Sequence, residues 1–377
     1  MPDQSEDIWQ QAVLRALPIL EIFPENRFTD IDALLEWVLG EGQFGKNRWR
    51  LGTAKRLYYH LKPFIPQPLA WRIRSWYSKP ERLDFPLQWP LEPRYPQFLW
   101  EVMRQVMLLI SQVEMRFAYF WPEGKPFAFV LTHDIETAEG QKFVGRVADL
   151  EQSLGFRSSF NFIPERYPLD RGLIEELRQR GFEIGVHGLK HDGKLFFSQS
   201  QFEHRAARIN QYLKQLKASG FRSPLTHRQP QWMQMLEIEY DLSFFDSDPY
   251  EPMPGGTMSI YPFFIGHFVE LPYTLLQDYT LVSLLKQNSP QIWLDKVNFI
   301  EKYSGMALLN SHPDYLREER TWNIYKQFLT EMKQRNSYHA LPREVSQWWR
   351  TRHKQESNPQ TGKIAIVDNA LQISPLS

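Results

Sequence analysis

The stretch from Phe127 to Glu136, FAFVLTHDIE, constrains the fold of this chain more than any other. Its first five residues are apolar without alternation. A strand that reads this way is covered on both faces, as in a parallel sheet flanked by helices. Thr132, His133, Asp134, Ile135 and Glu136 follow. In an extended chain Asp134 and Glu136 point one way and Ile135 the other. Two neighbouring carboxylates at the end of a buried strand are costly unless a positive group sits between them. In α/β barrels and doubly wound sheets, that end of the strand carries the chemistry. The plainer alternative is a surface turn with two solvated acids.

The rest of the chain supports the buried-strand assignment. From 126 to about 350, short apolar runs alternate with helical patterns. Gly140 to Leu154 is amphipathic and stops at Gly155. Arg157 to Ile163 is a strand, Asp170 to Arg180 a helix, and Phe182 to His187 a strand. Ser198 to Ser219 is a helix with Ser198 as N-cap and Gly220 as its stop. Tyr240 to Phe245 and Ser259 to Leu271 are extended. Pro290 to Tyr303 is a helix, Met306 to Ser311 an apolar strand, and Arg317 to Asn336 and Pro342 to Arg352 are helices. This β-α-β-α order predicts a parallel sheet or barrel with crossover helices. Before it, Ile8 to Ile19, Ile31 to Leu39 and Tyr95 to Met115 have helical spacing, with Thr29-Asp30 as N-cap of the second. The tail IAIVDNALQI is an edge strand or disordered.

Composition narrows the chemistry. The 377 residues carry zero net charge, so no global field directs the chain to nucleic acid. There is no cysteine, which excludes disulfides, thiolate metal sites and thiol nucleophiles. Any metal must be held by His, Asp or Glu. The N-terminus MPDQSEDIWQQ lacks the pattern of a signal peptide, and no apolar run approaches the roughly 18 residues of a membrane span. The expected compartment is the cytoplasm. Between Lys46 and Arg82 there are ten Lys or Arg and one acid, Glu81, interleaved with aromatics such as Trp49, Phe64, Trp71 and Trp76. That segment is either a packed helical layer or a surface for peripheral membrane contact.

Three further strand ends carry ionisable groups. Glu183 to Asp192, EIGVHGLKHD, places His187 and His191 four apart, a spacing that brings both rings to one face of a helical turn. Two His and one carboxylate form a facial set with open positions for a divalent cation. The second carboxylate is then free to act as a general base. Arg222, in Gly220-Phe221-Arg222-Ser223-Pro224, can balance it. His312 ends the apolar run Met306 to Ser311 and can protonate a leaving group. Each of these residues has a bland alternative, Arg222 in a surface ion pair and His312 capping a strand end. Four strand ends converging on one chemistry is a stronger signal.

These residues together resemble the polysaccharide deacetylases, the NodB-homology or carbohydrate esterase family 4 domains, over about 126 to 350. Thr132-His133-Asp134-Ile135-Glu136 resembles the first motif, His187-Gly188-Leu189-Lys190-His191 the H-x-x-x-H metal motif, Arg222-Ser223-Pro224 the R-x-P motif, and Leu309-Asn310-Ser311-His312 the L-x-x-H motif. Asp246-Ser247-Asp248-Pro249 lies where a fourth, aromatic-lined motif is expected. The chain departs from the family in its D-x-E spacing, where T-F-D-D is usual, and in Gly188, where Ser or Thr is usual. The resemblance implies Asp134 as base, His312 as acid, Arg222 as the residue that orients the base, and Glu136, His187 and His191 as ligands of a divalent metal ion, zinc.

The expected architecture is α/β, a distorted (β/α)7-8 barrel over 121-353, with a helical N-terminal extension over 1-120 and a tail over 354-377. The expected function is metal-dependent removal of an N-acetyl group from a sugar, polysaccharide or glycolipid precursor, so the partner is an acetylated saccharide. The alternative is a non-catalytic carbohydrate-binding or glycan-assembly protein on the same barrel. Oxygen activation by Fe(II) on the same triad ranks last, because that chemistry normally sits in an all-β barrel.

Overall fold

The computed structural model describes residues 3–21, 31–61, 85–354 and 360–375. The chain begins with helices α1 (Asp3–Ala16), α2 (Ile31–Leu39), α3 (Thr53–Leu61) and α4 (Arg94–Leu109), followed by strand β1 (Glu114–Ala118). Their apolar stripes close a small core around Ala12, Ala16, Leu34, Val38, Phe98 and Val106, which also takes in Met258 from the barrel. Helix α4 ends earlier than the apolar spacing predicts. Ser111 adopts a left-handed φ of 55° and breaks the helix, so Met115 lies in β1. The Thr29-Asp30 cap and the part of the basic segment from 62 to 82, with Phe64, Trp71 and Trp76, lie outside the described residues. Of the remainder, Trp49 donates to Glu41, Lys55 to the carbonyl of Pro252 and Arg56 to that of Phe197. These residues are spent on contacts within the chain.

The barrel is organised around β2 (Ala128–Ile135), buried at every position. Parallel partners are β3 (Ser159–Phe162), β4 (Glu183–His187), β5 (Gly220–Arg222) and β6 (Tyr240–Asp241), in that order outward from β2. A hairpin of β7 (Phe263–Ile265) and β8 (Phe268–Glu270) follows, with β8 parallel to β6. On the other side of β2 lies β9 (Met306–Ser311), and β10 (Tyr338–His339) pairs with its first two residues. A bridge between Leu275 and Leu309 joins the two ends of the curled sheet. The register aligns Asp134 with Asn161, and His187 with Arg222. The C-terminal ends of the strands therefore share one rim.

The crossovers are α5 (Ala138–Leu154), α6 (Arg171–Gln179), α7 (Gln199–Gln215), α8 (Gln291–Lys302) and α9 (Glu319–Met332), and α10 (Pro342–Lys354) closes the barrel unit. Thr137, Asp170 and Ser198 cap three of them by accepting backbone N–H groups, which satisfies donors a helix start leaves unpaired. Helix α5 stops at Gly155, which takes the left-handed conformation a C-cap needs. Gly220 does not stop α7. That helix ends at Leu216, and Gly220 opens β5 against the ring of Tyr240, where a β-carbon would collide.

The described part of the tail, 360–375, is extended. Strands β11 (Thr361–Val367) and β12 (Ala370–Pro375) form a hairpin that pairs antiparallel with β1, in a three-stranded sheet separate from the barrel. No helix among the described residues is long and apolar enough to cross a membrane.

Candidate active site

All six residues singled out in the sequence line one cavity of about 90 Å³ at the C-terminal rim: Asp134, Glu136, His187, His191, Arg222 and His312. Strand alternation brings Asp134 and Glu136 to the same side. The two histidines come together differently from expectation. They do not lie on a helical turn. His187 ends β4, and a loop with left-handed φ at Gly188 (62°) and His191 (53°) turns back, setting the rings 5.0 Å apart. This loop explains the glycine where the resemblance implies Ser or Thr. A β-carbon on Gly188 would strike the ring of Pro224, and its φ disfavours any other residue.

One ligand atom each from Glu136, His187 and His191 lies within 4.8 Å of the others. Glu136 Oε1 is 3.1 Å from His191 Nε2. His187 Nδ1 donates to the carbonyl oxygen of Arg222 at 3.1 Å, which leaves Nε2 as the lone-pair nitrogen facing the cavity. Burial pushes the His187 pKa down to about 4, against the pull of Asp134, so the ring is in the neutral, ligating form near neutrality. Burial would raise the Glu136 carboxyl, but the charge and hydrogen bond of His191 hold it well below the usual range. His191 Nδ1 is buried with no hydrogen-bond partner. Neutral imidazole, ionised carboxylate and an unsatisfied buried polar atom fit a divalent cation.

Asp134 is 2% exposed and sits beside this triad, its Oδ2 3.8 Å from His187 Nε2. It accepts from Asn161 Nδ2 at 3.0 Å and Asn310 Nδ2 at 3.0 Å. Arg222 Nη1 is 3.4 Å away and is held by Thr132 Oγ1 at 2.9 Å and by Asn310 Oδ1. Arg222 thus acts on Asp134 partly through Asn310. Burial opposes ionisation of Asp134, but His187, Arg222 and His312 outweigh it and lower its pKa. His312 lies across the cavity. Its Nδ1 is 2.7 Å from Asp278 Oδ1, and its backbone N–H donates to Asp278 Oδ2 at 2.8 Å. Burial would lower its pKa, but Asp278 overrides this and raises it to about 9.

Asn161, Asn310 and Asp278 were not singled out as site residues. Asn161 and Asn310 did leave a signal, a buried amide in the middle of an apolar strand. Asp278 left none, because it precedes a wide helical turn, Tyr279–Leu284, with no periodicity to mark it. The Asp246-Ser247-Asp248 segment is buried next to the cavity, and Glu251 and Pro252 just after it line the wall.

No family model and no curated protein matches the chain. Solved structures do. A protein of Mycobacterium smegmatis, provisionally named a polysaccharide deacetylase, superposes with a TM-score of 0.51 at 19% identity, covering 64% of this chain and 95% of its own. One from Pseudomonas aeruginosa PAO1, named in the same way, gives 0.51 at 13% identity, over 64% and 95%. Puue Allantoinase gives 0.50 at 13%, over 63% and 94%. The fold of this chain is the polysaccharide deacetylase, or NodB-homology, barrel.

Proposed function

We propose that the protein is a metal-dependent hydrolase that removes an N-acetyl group from a sugar or glycan precursor. The observation that carries this is the convergence, in one small cavity, of a two-His, one-carboxylate triad with an ionised aspartate on one side and a protonated histidine on the other. Glu136, His187 and His191 would hold a divalent cation, zinc in this reading, which would supply Lewis acidity to a water and to the substrate carbonyl. Asp134, kept ionised by Arg222 and the two asparagines, takes the proton from the attacking water. His312, charged through Asp278, gives its proton to the departing amine. Both groups are in the required protonation state near neutral pH, which is the condition for acid and base to act in one turnover.

The test is metal content followed by acetate release. Purified protein should hold about one transition metal per chain, lost in a His187→Ala/His191→Ala double variant, and should release acetate from an acetylated amino sugar. Protein that takes up neither zinc, cobalt nor nickel rules the hydrolase out, and a glycan-binding role on the same barrel becomes the working reading. Turnover of a different small amide with metal bound would keep the chemistry and change the substrate.

A further inference from the structure

The N-terminal extension lies outside the motifs discussed above, yet it contacts the segments that wall the cavity. Glu41 follows α2 in a left-handed turn and is 1% exposed. Its carboxylate accepts from Arg228 Nε at 2.7 Å, Trp49 Nε1 at 2.7 Å and the backbone N–H of Gly256 at 2.7 Å, and it also pairs with Arg228 Nη2. A buried carboxylate with this many donors is fixed in place. Arg228 is equally buried, lies 4.6 Å from the Phe245 ring and donates to the carbonyl of Thr226 at 2.9 Å. Thr226 Oγ1 in turn donates to Glu251 Oε2 at 2.9 Å, while Gln277 Nε2 donates to Oε1 at 2.7 Å. Thr226, Glu251 and Gln277 all line the cavity that holds Asp134 and the triad. Two more bonds tie the extension to the segment that carries Glu251, from Gln43 Nε2 to the carbonyl of Gly256 at 2.7 Å and from Lys55 Nζ to that of the cavity-lining Pro252 at 2.6 Å.

Glu251 has no part in the chemistry above. It is nearly buried, and Thr226 and Gln277 set its orientation, with the Tyr273 hydroxyl and the Asp248 carboxyl beside it. A carboxyl group keeps accepting positions beyond those used here. We propose that Glu251 recognises a hydroxyl of the substrate sugar, and that Glu41 is a positioning residue that holds this recognition wall from the N-terminal extension. The extension is then part of the substrate site. The identity of the ligand as a sugar rests on the deacetylase reading; the positioning does not.

The experiment measures acetate release from N-acetylglucosamine oligosaccharides, with calorimetric binding of the same probes and metal content, for wild type, Glu251→Ala and Glu41→Gln. Losing a hydrogen bond to a charged group should raise KM roughly 10- to 100-fold in Glu251→Ala, with kcat within about threefold and metal unchanged. Glu41→Gln should show the same split. If it does not fold, Trp49→Phe and Gln43→Ala each remove one bond of the clamp and should raise KM several-fold. Unchanged KM in Glu251→Ala overturns the recognition role. Clamp variants that melt earlier with KM intact overturn the positioning role and leave Glu41 merely structural. Wild type that binds the probes without releasing acetate defeats the deacetylase reading alone, and the same fold-changes are then read from Kd. Wild type that neither binds nor turns over the probes overturns both.

Discussion

Two neighbouring residues of β2, His133 and Asp134, face opposite sides of one strand and lead into two buried polar clusters of opposite character. Behind the strand, His133 Nε2 is 2.6 Å from Glu151 Oε1 and its Nδ1 is 2.8 Å from Ser311 Oγ. Glu151 also accepts from Ser158 Oγ at 2.6 Å and Tyr325 Oη at 2.5 Å. None of these side chains has a buried polar atom without a partner. On the other face, His191 Nδ1 and Arg222 Nη2 are buried and unpaired, and the cluster opens on a cavity. The composition of the two clusters is similar, with histidine, carboxylate and hydroxyl in each. What separates them is completeness. A satisfied network stiffens a core, whereas buried polar atoms left open mark a place reserved for something else.

That contrast can be broken at several points. The largest effect should come from Asp134→Asn on the open side. Losing the base should lower kcat by roughly 10²- to 10⁴-fold without displacing metal, and retention of full rate would reassign the base. His133→Phe, on the closed side, should do the reverse. It strands a buried Glu151 and should cost about 3–5 kcal/mol of stability while kcat, measured below the new melting point, stays close to wild type. Adding Glu151→Leu should recover only part of the loss, since Ser158 and Tyr325 keep hydroxyls without an acceptor. Equal loss of activity and stability would mean that the two faces are not separate.

A third effect is a shift in pH dependence. The folded pKa of His312 is raised to about 9. The stability it contributes is therefore fully present below the free imidazole value of about 6.5 and is lost as pH rises through the folded value. Activity should follow, with the alkaline limb of the rate profile falling near the same point. Asp278→Asn removes the largest of the charges that raise it and leaves Glu136 and Asp134 to act against burial. The limb should move down from about 9 towards the free imidazole value of about 6.5. A profile that does not move would detach His312 from the proton-transfer role. The smallest change should come from Glu183→Gln at the opposite end of the barrel. Burial raises that carboxyl to about 7. A carboxyl that stays protonated in the folded state while the unfolded chain ionises costs stability as pH rises from the free value of about 4.5 to the folded value of about 7, and no more above it. The amide should therefore flatten the fall of stability between about pH 4.5 and 7 in thermal melts, with turnover unaffected.

The strands β2, β4 and β9 were legible in the sequence because parallel strands buried on both faces leave uninterrupted apolar runs. Asp134, Glu136, His187 and His312 were legible as candidate site residues because they stand at or just past the ends of such runs. The helix cap at Ser198 was legible because its chemistry is local. What the sequence hid depends on distant partners. Strand β1 is only Glu114–Ala118, half-exposed, and its pairing to β11 is set by residues far along the chain. The loop from Gly188 to His191 was misjudged because helical spacing and a double left-handed turn both bring i and i+4 together. Glu251 enters the site from an irregular segment and Asp278 from the cap of a wide helical turn, where no periodicity announces them.

The sheet that joins β1 to the hairpin of β11 and β12 has a consequence for how the protein is made. Glu114 pairs with Ala365, so the whole barrel is translated between the two halves of one sheet. At about 5–20 residues per second, β1 waits some ten to fifty seconds on the ribosome for its partner. Throughout that interval Met115 and Phe117 stand on an open edge, a ready-made handle for chaperones and for stray strands. The hairpin works as a late clasp. A nascent chain stalled before Thr361 would carry a complete barrel, candidate site residues included, and still be marked as unfinished.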